Sequence, residues 1–152
     1  MTQTMGRGMF FALALATLIG FLDALYLTIT HYANTAVPCY VGSCEKVLTS
    51  SYSVVLGIPI AVYGVVFYLV TLVLLAYYFE SKKPIALTLA LLATPFGFFA
   101  SVYFFVLQAW IIQAWCQYCI LSGITSTLMF GIALVHYVKG IKKDRPRLAS
   151  DQ

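Results

Sequence analysis

The chain has 152 residues, 62% of them hydrophobic and 9% charged, with a mean hydropathy of +0.92 and a formal net charge of +4. Water-soluble domains are about 45–50% apolar and about 25% charged, and one of this length still exposes much of its surface, so the composition excludes a soluble globular protein. The positive residues lie between and beyond the apolar runs instead of covering a face, which excludes a nucleic-acid footprint.

The first apolar run extends from Phe10 to Thr30 and holds Asp23. It is longer than the core of a cleaved signal peptide and reads as a retained membrane helix. A carboxylate in hydrocarbon costs about 2.5–3.5 kcal/mol even on a lenient scale, so Asp23 is expected to face the bundle. Two uses remain open for it, a hydrogen bond that fixes one helix to another or proton delivery to a reduced acceptor. An outer loop, His31 to Gly57, carries Cys39 and Cys44, with Gly42 permitting a sharp turn between them. His31 reads as an interfacial, solvated side chain and Lys46 as a solvated one.

The second run, Ile58 to Phe79, opens with Pro59, which suits a first helical turn because its missing N–H needs no partner there. Ser81-Lys82-Lys83-Pro84 forms a tight turn into the third run, Ile85 to Leu107. That run places Ala93, Gly97 and Ser101 four residues apart, with Ala86, Ala90 and Thr94 beside them, a pattern that lets membrane helices approach closely. After a short uncharged outer segment with Trp110 and Trp115, expected as interfacial anchors, the fourth run covers Tyr118 to Val138. A basic tail, 139–152, follows it. Each run has the ~20 residues that span a bilayer as a helix, and open strands have no hydrogen-bond partners in lipid. The expected fold is therefore an all-α integral membrane protein, a four-helix bundle in one domain, with an outer cysteine-bearing loop able to hold a short helix.

Basic residues set the orientation. Arg7, Lys82, Lys83, Lys139, Lys142, Lys143, Arg145 and Arg147 fall on one side of a four-span chain, and Lys46 alone on the other. Both termini are expected in the cytoplasm and all four cysteines on the oxidising side.

Cys116-Gln117-Tyr118-Cys119 puts two sulfurs on one face at a helix start, close enough to bridge. The positive helix end favours a thiolate on the first cysteine, the species that attacks disulfides. A dithiol at the membrane edge reaches both a water-borne donor and a lipid-soluble acceptor, for which a quinone is the natural candidate. The loop pair is able to bridge internally or to swing until Cys44 meets Cys116, which suggests a relay. Structural disulfides in a non-catalytic scaffold and a four-thiolate zinc site are the competing uses. Structural zinc sites usually pair short cysteine knuckles on water-facing domains, so no metal is expected here.

Taken in order, Cys39-x4-Cys44, the stretch Glu45-Lys46-Val47-Leu48-Thr49-Ser50-Ser51, Gly57-Ile58-Pro59 opening a helix and Cys116-x-x-Cys119 at the last helix resemble the vitamin K epoxide reductase family. The Gly20–Leu27 run is similar to bacterial members. The resemblance implies Cys116 and Cys119 as the active-site pair, with Cys119 addressing the quinone. Cys39 and Cys44 become the shuttle pair, with Cys44 passing electrons to Cys116. It also implies Ser50, near the start of a short helix over the quinone pocket, as a cofactor-binding hydroxyl; Asp23 is a weaker candidate for the same pocket, on its place in the first run alone. The positions through which animal members hydrogen-bond vitamin K are Ile60 and Gly123 here, so quinone reduction, with ubiquinone or menaquinone, is expected without epoxide reduction. The implied setting is a bacterial inner membrane, with a separate thioredoxin-fold partner of the DsbA type and disulfide formation in secreted proteins.

Overall fold

The computed structural model describes residues 5–40 and 42–149. Among them, four helices are long and apolar enough to cross a membrane. Helix α1 is Arg7–Tyr32, and the loop after it contains the short helix α2, Cys44–Leu48. Two short strands follow, β1 (Val54–Val55) and β2 (Ile58–Pro59), then helices α3 (Ile60–Ser81) and α4 (Pro84–Val106). A π-helical turn, Leu107–Ile112, continues α4, and α5 covers Gln117–Ala149.

Three boundaries differ from the sequence expectation. Pro59 precedes the first turn of α3 instead of sitting inside it, because Ile58 and Pro59 pair antiparallel with Val55 and Val54. The hairpin turns on Leu56 and Gly57, both at positive φ (53° and 80°), the twist that two-residue hairpins favour. The third span runs on through the π turn to Ile112. Helix α5 passes the expected end at Val138 and reaches Ala149. The last residues of the expected tail, 150–152, lie outside the described residues.

The helices form a ring in which α1 packs on α3 and α5, and α4 packs on the same two. Small residues set the spacing. A side chain at Gly20 would collide with the Tyr68 ring, and one at Gly97 would come within 2.6 Å of Phe67. Of the small residues in α4, Ala86, Ala90, Thr94 and Gly97 are buried. Ala93, Gly97 and Ser101 also line a cavity, so that stripe does more than pack helices.

Buried threonine hydroxyls inside the bundle are satisfied by carbonyls of their own helix, as lipid requires. Thr17 and Thr71 donate to the carbonyls of Leu13 and Phe67 at 2.7 and 2.8 Å. Pro95, inside α4, has no N–H for the Leu91 carbonyl, and the Thr94 hydroxyl supplies the missing donor at 2.8 Å. The outer surface is apolar, with Leu92, Phe96 and Phe99 each at least 66% exposed. Such a face is stable only against hydrocarbon.

Candidate functional site: two cysteine pairs at one end of the bundle

Both pairs lie where α1 ends and α5 begins. Cys116 immediately precedes α5, and its carbonyl accepts the Ile120 N–H at 3.0 Å, the bond of an N-cap residue. The Cys116 sulfur takes the place of a capping oxygen by accepting the backbone N–H groups of Tyr118 and Cys119. The largest influence on it is the Cys119 side chain, whose thiol donates to the same sulfur. Together these donors outweigh burial and pull Cys116 down to about 7, below the ordinary thiol range. The two thiols are free.

The π turn and the residues after it hold Cys116 from behind. The Gln108 side chain accepts the Cys116 N–H at 2.9 Å, and the Gln108 carbonyl accepts the Ala114 N–H at 3.2 Å. Gln113, at φ 52°, turns the chain back between them.

Cys39 and Cys44 form a disulfide with a Cα–Cα distance of 5.8 Å. The segment that carries it is clipped to the start of α5 at four points. The Gln117 amide accepts the Tyr40 N–H at 3.2 Å and donates to the Pro38 carbonyl at 3.4 Å. The Tyr118 hydroxyl donates to the same Pro38 carbonyl at 3.0 Å, and the Ser43 N–H donates to the Trp115 carbonyl at 2.9 Å. Gly42 bridges Cys116 backbone to backbone. With φ +90° and the Trp115 carbonyl oxygen where a Cβ would stand, that position requires glycine. As a result, Cys44 and Cys116, both fully buried, share one cluster with Val47 and Ala114, and Cys39 and Cys119 pack against it.

A cavity opens on each side of this cluster. A groove of about 610 Å³ runs along the disulfide and is lined by Cys39, Ser43, Glu45 and Lys46. A larger cavity of about 1390 Å³ lies beneath α2 and the hairpin, inside the ring of helices. Its walls include Leu27, Phe67, Phe96 and Phe104, and among its polar groups are Cys119, Asp23, Ser50 and Ser122. Val66, Val70 and Phe96 belong both to this lining and to the exposed lipid face, so the cavity reaches the membrane between α3 and α4.

All six residues singled out from the sequence gather at this end. Ser50 follows α2 instead of standing near its start, and its hydroxyl donates to the Val47 carbonyl at 2.7 Å while the residue lines the cavity. Asp23 is 6% exposed, and neither carboxylate oxygen has a hydrogen-bond partner among the described residues. The helix-to-helix hydrogen bond weighed for it is therefore not made. Ile60 lines the cavity as well. Sequence reasoning missed Gln108 and Gln117, although an amide on each side of a C-x-x-C in an otherwise apolar stretch was a usable signal. It also missed Tyr68, whose hydroxyl lies 3.1 Å from the Ser122 hydroxyl and 3.0 Å from the Thr125 hydroxyl, tying α3 to α5 at the cavity wall.

Fold and site define a class, a multi-pass four-helix membrane protein with a disulfide and a dithiol stacked at one end. Residues 11–134 match the model of the vitamin K epoxide reductase family, and the chain belongs to that family of enzymes. It is also similar to the thiol-disulfide oxidoreductase LTO1 of Arabidopsis thaliana, at 29% identity over 122 residues covering 74% of this chain. The match spans 32% of that relative's length.

Proposed function

We propose that the chain is a quinone-dependent thiol oxidoreductase that reoxidises a secreted thioredoxin-fold disulfide oxidase of the DsbA type. The observation that carries this reading is the burial of Cys44 against Cys116, between a water-facing groove at Cys39 and an apolar cavity at Cys119. A thiolate of the partner enters the groove and attacks Cys39, and Cys44 leaves as the thiolate. The partner's second thiol then resolves the mixed disulfide, which leaves Cys39 and Cys44 reduced. When Cys116 and Cys119 are joined, Cys44 attacks Cys116 and Cys119 leaves. Cys39 then resolves the Cys44–Cys116 bond, so two electrons have moved from the outer pair to the inner one. A Cys116 held near 7 by its capping donors is a good leaving group and is about half thiolate at neutral pH once reduced.

The cavity fits a quinone on its own chemistry, with aromatic and aliphatic walls, few polar groups, an opening toward lipid and an orphaned buried carboxyl. Phe67, Phe96 and Phe104 would hold the ring, and Ser50 would offer a hydroxyl from above. A bound quinone supplies a two-electron, two-proton acceptor, either ubiquinone or menaquinone. Cys119 presents the reducing sulfur to it. Ile60 and Gly123 offer no side-chain hydrogen bond where animal family members contact vitamin K, which supports quinone reduction without epoxide reduction. The reading places the chain in a bacterial inner membrane with both termini cytoplasmic and the cysteines outside.

Two variants test this. Cys119→Ser is expected to abolish quinone reduction, while Cys39→Ser blocks oxidation of the protein partner yet spares reduction of the inner pair by a small dithiol. Full quinone turnover by Cys119→Ser would sink the mechanism.

A further inference from the structure

The inner pair delivers its two electrons with a single thiol proton when Cys116 is a thiolate, yet a quinol carries two protons. A second donor has to stand in the same cavity. The candidates around it are few. The titratable side chains lining it, besides Asp23, are Cys119 from α5, Tyr63 and Tyr68 from α3, His31 from the end of α1, and Glu45 and Tyr52 from the covering segment. None comes from α4. Tyr68 has its hydroxyl engaged with Ser122 and Thr125, Tyr63 donates its hydroxyl to the Val55 carbonyl at 3.1 Å near the hairpin, and His31, Glu45 and Tyr52 belong to the outer rim.

Asp23 differs from all of these. It is 94% buried by its 6% exposure, lines the cavity, and has both oxygens without a hydrogen-bond partner among the described residues. It also stands within electrostatic reach of Cys116 and Cys119. An ionised carboxylate with no partner in such a place carries a large uncompensated desolvation cost, and two neighbouring negative charges oppose each other. A neutral carboxylic acid avoids both penalties. The bundle core also keeps Asp23 off the lipid, where an ionisable residue in a spanning helix marks a proton or substrate path more often than a packing role.

We propose that Asp23 is held as a neutral carboxylic acid and gives the second proton to the reduced quinone. This rests on the reading that the Cys116–Cys119 dithiol reduces a quinone in the cavity. The balance closes. The Cys116 thiolate and the Cys119 thiol become one disulfide, which releases two electrons and the Cys119 proton. The Asp23 acid supplies the other proton, the quinone becomes the quinol, and the Asp23 carboxylate takes a proton back from water at the outer rim.

The first measurement needs no quinone. Infrared difference spectroscopy of the purified full chain at neutral pH, wild type against Asp23→Asn, should show a deuterium-sensitive carboxylic acid carbonyl band in the wild type alone. If that band is missing from the wild type, or persists in Asp23→Asn, Asp23 is not a stored acid and the proposal is overturned. The second measurement follows reoxidation of the reduced inner pair by ubiquinone or menaquinone, with thiol state read by alkylation. Asp23→Asn should slow it by about 10²-fold or more, the usual weight of a positioned acid, and Asp23→Glu should restore part of the loss. A circular dichroism spectrum and a thermal unfolding profile that match the wild type report that Asp23→Asn is folded. Normal quinone turnover in Asp23→Asn with none in Cys119→Ser removes the proton role alone. Turnover retained in Cys119→Ser removes the dithiol–quinone reading, and this inference with it.

Discussion

Cys116 owes its reactivity to where one atom sits. As the N-cap of α5 its sulfur receives two backbone N–H groups, and the Cys119 thiol adds the strongest donor. A depressed thiol is ionised above its midpoint and protonated below it, so alkylation of reduced Cys116 should rise through a midpoint near 7. Cys119→Ala removes the first of those donors and should move the midpoint up, toward the ordinary thiol range. At pH 7 the iodoacetamide rate at Cys116, followed by mass spectrometry, should then fall by about tenfold. The drop is smaller than the loss of thiolate alone would give, because a more basic thiolate is the better nucleophile. A midpoint that stays near 7 in Cys119→Ala would assign the shift to the backbone donors instead.

Among the elements, the segment that carries Cys39 and Cys44 is the one on which the proposed relay depends. It is a cap held by hydrogen bonds to the α5 start and not by a large apolar interface, which suits a carrier that has to release and re-engage. Gly42 is its tightest point, since a Cβ would meet the Trp115 carbonyl and the φ of +90° disfavours any other residue. Gly42→Ala should weaken docking by on the order of 1–3 kcal/mol. The effect is measurable as a reduced yield of the Cys44–Cys116 disulfide in a Cys39→Ser, Cys119→Ser background. An undiminished yield would show that the clips around Gly42 do not hold the cap. The π turn is the second device of this kind. It places the Gln108 amide behind Cys116, so the inner pair is braced from α4 as well as from α5.

At the scale of the whole molecule, the ring of helices separates two chemistries by a thin layer of sulfur. Arg7, the Lys82–Lys83 turn and Lys139 lie toward one end of the ring, and the cysteines occupy the other. With that basic end in the cytoplasm, a membrane-impermeant maleimide added to intact, mildly reduced cells should label Cys39, and tags on either terminus should stay protected until lysis. Labelling of Cys39 only after lysis would invert the topology and remove any route from secreted thiols.

Apolar run length and cysteine spacing were enough for the four spans, the likeness to a family and the two cysteine pairs, because both are local properties that lipid and disulfide chemistry read directly. The sequence also brought Asp23 forward, since a carboxylate in hydrocarbon is conspicuous in any register. That Asp23 faces a cavity with no hydrogen-bond partner among the described residues, that Gln108 and Gln117 hold the two pairs in register, and that Ser50 follows the short helix became visible only in the folded chain. Those facts depend on where separate helices bring their side chains together. A π turn, a Gly42 backbone bridge and a Thr94 hydroxyl covering the gap left by Pro95 have no period or spacing in the sequence, and exist only once the chain has closed on itself.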